Sequence, residues 1–179
     1  MNWSRRGFLG AAALTGVASA SPVLASIPGG VRKVGFHNLH TGEALDVAYW
    51  ENGAYVPGAL QAVNHVLRDF RTGDVHEISP HLLDLLTSLS ARLESGERFQ
   101  VISGYRSPQT NAHLHELSGQ VASGSLHMKG EAIDIRLPGV DLTHVRDIAL
   151  SMAVGGVGYY PTSDFVHVDV GRVRRWSGS

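Results

Sequence analysis

The sequence predicts one domain of the α+β class. Apolar residues recur at helical spacing in segments 57–70 and 80–93, both of which precede most of the predicted strands. Short apolar segments typical of strands lie mostly after residue 98, and the connections between segments are short. Helices and strands grouped in this way favour an α+β domain over a parallel α/β sheet, in which the two would alternate.

Each predicted element has a recognisable start or end. Pro57 and Ser79-Pro80 are typical helix starts, and Gly96 is a typical stop. Ser107 before Pro108 is typical of a helix cap that follows a strand. The predicted elements are a hairpin of segments 34–40 and 43–50 around Thr41-Gly42, helices beginning near residues 57, 80, 108 and 141, strands 99–103 and 131–136, a short strand or loop within 155–161, and a final strand at 165–170.

The first 25 residues have the features of an export signal. Arg5-Arg6 precede Gly7-Phe8-Leu9, and segment 9–17 is apolar and uncharged. This segment is shorter than the roughly 20 residues that span a bilayer, so no stable membrane insertion is expected after cleavage. The arginine pair resembles a twin-arginine signal, which makes the export machinery a partner and the periplasm the destination. Residues 1–25 are therefore predicted to be the signal, cleaved after Ala20 or Ala25, and residues 26–179 a single domain.

Charge and cysteine content exclude some classes of function and limit the types of metal ligand. The formal net charge of −1 gives no basic field for nucleic acid or for an anionic membrane. Cysteine is absent, so an exported domain has no disulfide framework, and any metal must be bound by histidines and carboxylates. Ten histidines make such a site plausible on composition.

Two predicted strands place polar side chains opposite an apolar face. Alternation puts Ile133 and Ile135 on one face and Asp134 on the other. In segment 165–170, His167 and Asp169 lie opposite three valines. His127 precedes Asp134 by seven residues, with a glycine between them that permits a tight turn. Two imidazoles and one carboxylate leave a fourth position for water, which is the ligand set of a catalytic zinc site.

The spacing around these residues resembles a known signature. Ser125-x-His127-x-x-Gly130-x-Ala132-x-Asp134 is similar to the S-x-H-x-x-G-x-A-x-D pattern of the D-alanyl-D-alanine metallopeptidase group, which is related to lysostaphin and sonic-hedgehog-like zinc folds. The mature chain most resembles the murein endopeptidase K-like members. The resemblance implies a small antiparallel sheet flanked by helices. The further matching stretches are Asn38-Leu39-His40-Thr41-Gly42-Glu43, Ser103-Gly104-Tyr105-Arg106-Ser107, Gly155-Gly156-Val157-Gly158-Tyr159-Tyr160 and Phe165-Val166-His167-Val168-Asp169.

The resemblance implies an enzyme and roles for its residues. It implies a zinc-dependent endopeptidase that hydrolyses peptide cross-links of peptidoglycan; a D,D-carboxypeptidase and a non-catalytic peptidoglycan-binding domain are the alternatives. Arg106 would bind substrate or stabilise the developing oxyanion, because its planar fork suits that task. Ser125 would bond the substrate backbone or orient the loop, and Tyr105 would contact substrate. The implied zinc ligands are His127, Asp134 and His167.

Two acids compete for the role of general base. Asp164 stands three residues before His167, as the acid does in many enzymes of the wider group. Asp169 is favoured, because alternation puts it on the face of His167, whereas Asp164 reaches that face only if the chain bends before Phe165. Arg172, Arg174 and Arg175 are expected to form a solvated end, and Tyr159, Tyr160 and Trp176 to line a groove or close the core.

Overall fold

A computed structural model of the chain describes residues 30–118 and 121–178. The predicted signal, residues 1–25, and the start of the domain lie outside the described residues. No helix in the described part of the chain is long and apolar enough to cross a membrane. In chain order the elements are β1 (Val31–Asn38), β2 (Ala44–Glu51), β3 (Ala54–Tyr55), α1 (Pro57–Val66), α2 (Pro80–Arg92), β4 (Phe99–Ser103), α3 (Pro108–Ser118), a 3₁₀ helix (Leu126–Lys129), β5 (Ala132–Arg136), α4 (Leu142–Met152), β6 (Gly156–Tyr160), β7 (Phe165–Asp169) and β8 (Arg174–Ser177).

The strands of the described residues form one eight-stranded sheet in the order β3-β2-β1-β4-β5-β7-β6-β8. Most neighbours are antiparallel, but β1 pairs with β4 and β6 with β8 in parallel. The α+β class is confirmed. The sheet is larger than the small antiparallel sheet that the resemblance implies, and it is mixed.

Side chains cap the first turns of two α-helices, α3 and α4. The Oγ of Ser107 accepts a hydrogen bond from Thr110 N at 3.2 Å, so the predicted cap of α3 is present. The carboxylate of Asp141 accepts from Thr143 N at 2.7 Å at the start of α4. Helices α1 and α2 begin with a proline, whose missing N–H would have had no partner within the helix.

One hydrophobic core lies between the sheet and three helices. Val63 of α1, Leu86 of α2 and Val145 of α4 are fully buried in it. Ile133 and Ile135 reach the same core from the centre of the sheet. The opposite face of β5 is therefore free of this packing and carries the polar side chains.

Two strands of the described residues, β3 and β8, were not predicted. Strand β3 has only two residues, too few for a periodic signal. Strand β8 has the sequence Arg-Arg-Trp-Ser, which lacks the β-branched residues that identify strands. Its pairing with β6 is a contact between distant segments, so only the folded chain defines it.

Candidate metal centre

The register between β5 and β7 brings two predicted ligands together. Asp134 lies directly opposite His167, and Ile133 lies opposite Val168. Directly paired residues share a face of the sheet, so the carboxylate and the imidazole meet on one side while the aliphatic side chains enter the core on the other.

His127 reaches the same point from the 3₁₀ helix. Ser125 caps this helix, and its Oγ accepts from His127 N. Gly130 ends the helix in the left-handed conformation, with φ of 66°, which glycine adopts without strain. The Nδ1 of His127 lies 2.7 Å from the carbonyl oxygen of Gly104. His127 is thus held through both its backbone and its ring.

Three ligand atoms of His127, Asp134 and His167 converge. Nε2 of His127 lies 3.2 Å from Nδ1 of His167 and 3.2 Å from Oδ1 of Asp134, and Nδ1 of His167 lies 2.8 Å from the same oxygen. Gly104 O and the Asp169 carboxylate can only accept, so the outer ring nitrogens facing them carry the protons. When the inner nitrogens carry no proton, they and Oδ1 of Asp134 form three acceptors that could bind one cation together.

Burial and the cluster's own contacts shift the pKa values of its members. Burial lowers the pKa of His127. Burial also disfavours a charged His167, but its bonds to Asp134 and Asp169 outweigh this and raise the pKa of His167 to about 9. Burial works against a charged Asp134, yet the two imidazoles hold the pKa of this carboxyl well below its ordinary value. The cluster is therefore arranged around a carboxylate anion.

Asp169 lies behind His167, on the strand face that alternation predicts. Its Oδ2 accepts from His167 Nε2 at 3.0 Å. It also accepts from the backbone N–H groups of Gly156 and Gly171 and twice from Arg174. These five hydrogen bonds exceed the roughly four lone-pair sites of a carboxylate. Burial opposes ionisation, but the bonds outweigh it and hold the pKa of Asp169 well below its usual range. The carboxylate has no free lone pair to accept a proton from water in the cavity.

Asp164 occupies the turn before β7, with φ of 55°. The bend before Phe165, which Asp164 needs in order to reach the face of His167, is therefore present. The carboxylate of Asp164, however, forms an ion pair with Arg136 and is mostly exposed. Ser163 and Phe165 line the cavity beside the three candidate ligands, and Asp164 is not among the lining residues.

Arg106 forms part of the wall of this cavity. The cavity has a volume of about 500 Å³ and opens above the three candidate ligands. One terminal nitrogen of Arg106 lies 3.2 Å from Ser103 Oγ and 3.5 Å from Asp134 Oδ2. Within the described residues its buried Nε has no hydrogen-bond partner. Burial lowers the pKa of Arg106, and Asp134 opposes that shift. A guanidinium in the wall of the cavity is suited to binding an oxygen ligand that enters it.

The two other predicted substrate contacts differ in position. Ser125 lines the cavity while it caps the 3₁₀ helix, so both alternatives for this residue stay compatible with its position. Tyr105 stacks on His76, with ring centroids 4.6 Å apart, and is not among the residues that line the cavity. Its backbone belongs to the turn that carries Arg106.

Strand β8 supplies two side chains to the cavity, of which Arg174 was expected elsewhere and Trp176 was expected to line a groove or close the core. Arg174 and Trp176 both line the cavity. The Trp176 ring lies 5.1 Å from the His167 ring, and its Nε1 donates to Tyr160 OH at 2.8 Å. The prediction that Arg174 belongs to a solvated end is wrong, because it binds the buried Asp169. The sequence signal that could have predicted this was the alternation along segment 174–177, which puts Arg174 and Trp176 on one face.

The fold and this cluster define a class of protein. A two-histidine, one-aspartate cluster at the base of an open cavity, on an α+β sheet, is typical of metallopeptidases. The chain belongs to the Peptidase_M15_2 family, because the family model described as "Peptidoglycan L,D-endopeptidase MepK" matches residues 27–176.

Curated relatives agree with this family. The peptidoglycan L,D-endopeptidase MepK of Escherichia coli (strain K12) is 44% identical over 140 residues, which cover 78% of this chain and 77% of the relative. The probable peptidoglycan L,D-endopeptidase MepK of Haemophilus influenzae is 42% identical over 144 residues, covering 80% and 77%. The resemblance identified from the signature is confirmed, and the chain is a peptidase.

Gly130 provides a test of how the loop carrying His127 is built. We expect Gly130→Ala to cost about 1–2 kcal/mol through its left-handed backbone. A further 1–3 kcal/mol or so should come from overlap of the new Cβ with the carbonyl oxygen of Glu77. Guanidinium chloride denaturation with a chelator present measures the loss without a metal-binding contribution.

Gly139→Ala is the matched control. Gly139 also has a positive φ, of 74°, but nothing lies within 4 Å of the position of its Cβ. Equal losses for the two variants would show that backbone conformation alone, and not the close approach to Glu77, requires glycine at position 130.

Proposed function

We propose that this chain is a zinc-dependent endopeptidase that hydrolyses peptide cross-links of peptidoglycan at an L,D bond. The observation that carries the proposal is the convergence of three acceptor atoms beside Arg106 at the base of an open cavity. The names of the relatives specify both the substrate and the L,D bond. An endopeptidase is favoured over a D,D-carboxypeptidase for this reason, and the complete ligand set favours an enzyme over a binding domain.

The residues present fit zinc. Tetrahedral ligands about 2.0–2.1 Å from a zinc ion stand roughly 3.3 Å apart, close to the 2.8–3.2 Å separations among the three candidate atoms. Two imidazoles and one carboxylate match the three-ligand sets of catalytic zinc sites. Zinc there would lower the pKa of a water molecule toward about 7 and polarise the scissile carbonyl. His127, Asp134 and His167 are accordingly the proposed ligands.

The chain's own side chains perform the remaining steps. Arg106 lines the cavity, where its guanidinium can bind the carbonyl oxygen as negative charge develops on it. Ser125 holds the 3₁₀ helix and faces the same cavity, so its hydroxyl can also meet the substrate backbone. The ring tautomers are held from behind by Gly104 O and Asp169, which keeps both inner nitrogens free to bind the metal.

Digestion of purified sacculi tests the proposal. We expect the domain from residue 26 onward to bind about one zinc per chain and to release muropeptides that mass spectrometry identifies as products of L,D cleavage. His127→Ala should abolish both zinc binding and release. His81→Ala, an exposed histidine on α2, should change neither. Unchanged sacculi under every metal condition would favour the binding domain, and D,D products would favour the carboxypeptidase-type specificity.

We further propose that Asp169 positions His167 and is not the general base. Its carboxylate is fully buried and completely hydrogen-bonded, so it orients the ring and keeps the proton on Nε2. Loss of such a supporting carboxylate weakens metal binding, whereas loss of a base lowers the rate and leaves metal bound. The two roles can therefore be separated by experiment.

Asp169→Asn should weaken zinc affinity by about 10–100-fold, because one oxygen that accepts N–H groups becomes a donor. Competition with a fluorescent chelator measures the affinity, and the rate is measured at saturating zinc. Asp147→Asn, at an exposed acid of α4, is the matched control. A rate loss of about 10²–10⁴-fold with unchanged zinc affinity would instead identify Asp169 as the base.

Asp164→Asn belongs in the same experiment. Its exposed ion pair with Arg136 contributes little, so we expect near-wild-type rate and zinc affinity. An inactive Asp164→Asn variant that retains zinc would establish the alternative in which the acid three residues before His167 is the base.

Residues 1–25 are proposed to be a twin-arginine export signal that delivers domain 26–179 to the periplasm. The Arg5-Arg6 pair, the short apolar segment and the small residues before Ser26 support this. A peptidase that acts on peptidoglycan also needs to reach the extracytoplasmic side of the membrane.

Replacing Arg5 and Arg6 together by lysine should remove the protein from the periplasmic fraction, because this change keeps the charge and removes the arginine pair. Cell fractionation with immunoblotting measures the distribution. Replacing Arg172 and Arg175 by lysine is the control, since both lie far from the leader in sequence. An unchanged periplasmic amount after the Arg5 and Arg6 replacement contradicts the twin-arginine assignment.

A further inference from the structure

Asp69 is a buried acid outside the metal cluster. It lies in the connection between α1 and α2, and only 1% of its surface is exposed. None of the proposed steps of hydrolysis uses it. A buried carboxylate is costly unless hydrogen bonds compensate its charge, so its partners indicate what it does.

The backbone of Asp69 and one of its carboxylate oxygens form hydrogen bonds within the turn that contains it. Its N–H donates to Asp74 O at 3.0 Å, and its carbonyl accepts from Gly73 N at 2.7 Å. Carboxylate oxygen Oδ1 accepts from Arg71 N at 3.0 Å. The segment from 69 to 74 is thereby closed on itself as a compact turn.

The other carboxylate oxygen of Asp69 holds the turn that carries Arg106. Oδ2 accepts from Ser107 N at 2.9 Å, at the start of α3. On the other side of Arg106, Tyr105 N donates to Leu67 O at 2.7 Å. Residues 67 and 69 therefore fasten the backbone immediately before and after Arg106. Gly104 permits this approach, because a Cβ there would lie 2.5 Å from Leu67 O.

The same turn contacts the metal cluster. Arg106 N donates to His127 O at 3.2 Å, and Gly104 O accepts from His127 Nδ1. These two bonds do not involve Asp69. Removing the Asp69 carboxylate should therefore loosen the turn at Ser107 and leave the two bonds to His127 in place.

The charge of Asp69 also supports the buried guanidinium. Burial lowers the pKa of Arg106, Arg71 lowers it further, and Asp134 and Asp69 counteract both. Burial would raise the pKa of Asp69, but hydrogen bonds from Thr110 and Ser107 outweigh it and lower the pKa to about 2. Asp69 is thus an anion throughout the pH range in which a zinc peptidase works.

We propose that Asp69 is a positioning residue that holds the Tyr105–Ser107 turn so that the Arg106 guanidinium faces the substrate cavity. This inference rests on the proposed function, in which Arg106 acts on the scissile carbonyl. Asp69 touches neither metal nor substrate, and its effect passes through Arg106. A residue that only stabilised the fold would have an effect independent of Arg106.

A double-mutant cycle separates the two possibilities. Arg106→Ala should lower kcat by about 10²–10³-fold. Asp69→Asn should lower kcat on the order of 10-fold when Arg106 is present, because a small misplacement of a catalytic group is costly. In the Arg106→Ala background the same change should lower kcat by less than about 2-fold. An equal factor in both backgrounds would overturn the proposal.

Zinc content and matched variants complete the test. Asp69→Asn should retain one zinc per chain, since its bonds lie outside the ligand set. Asp74→Asn, an exposed acid in the same turn, should keep the wild-type kcat. Val145→Ala, which creates a cavity in the core at α4, should lower thermal stability without a change near Arg106. It therefore controls for the effect of lost stability on kcat.

A substitute variant covers the case of misfolding, and the activity of the wild type separates failure of the proposed function from failure of the role of Asp69. If Asp69→Asn does not fold, Thr110→Val removes one hydrogen bond to the same carboxylate and should give a smaller loss with the same dependence on Arg106. A wild-type domain that releases no muropeptide refutes the proposed function itself. An active wild type with an equally active Asp69→Asn variant refutes only the role of Asp69.

Discussion

The register of β5 against β7 is the constraint on which the rest of the site depends. Asp134 faces His167 across these strands, and the flanking pairs are isoleucine and valine. Because side chains alternate along a strand, a slip of one residue in either strand would turn its carboxylate or imidazole toward the core and its aliphatic side chains toward the cavity. The free energy of burying Ile133, Ile135, Val166 and Val168 therefore also keeps the polar cluster in place.

Compensation of buried charge explains how the layers around the cluster are organised. Asp134 is surrounded by two imidazoles and Arg106, His167 is supported by Asp169, and Asp169 is in turn bound by Arg174 from the last strand. Each of these charged side chains has a partner of opposite charge or a hydrogen bond, which offsets the cost of removing its charge from water. Removing one member leaves its neighbour uncompensated, so these residues act as a connected set.

Two separate parts of the chain meet at the cavity. The second half of the chain supplies the candidate metal ligands and the strand that supports them, whereas the connection after α1 holds the turn that carries Arg106. Gly104 and Gly130 allow close backbone approach at the two junctions, where any side chain would overlap Leu67 or Glu77. The geometry of the cavity is therefore set by backbone contacts between segments far apart in sequence, and functional side chains on short turns can be held as firmly as those on strands.

The sequence by itself determined the features that depend on local order. Periodicity and helix caps predicted the four helices and the strands β1, β2, β4, β5 and β7, and the spaced signature identified the peptidase family and the residues that converge at the centre of the sheet. Alternation also placed Asp169 correctly beside His167, but its hydrogen bonds from Gly156 of β6 and Arg174 of β8 form only because those strands pack in the same sheet. The parallel pairing of β8, the binding of Arg136 by Asp164 and the support of Arg106 by Asp69 likewise join residues with no local relation. Only the tertiary structure could decide these roles, because which partner satisfies a buried polar group depends on the fold as a whole, whereas which face of a strand it occupies depends on its neighbours in sequence.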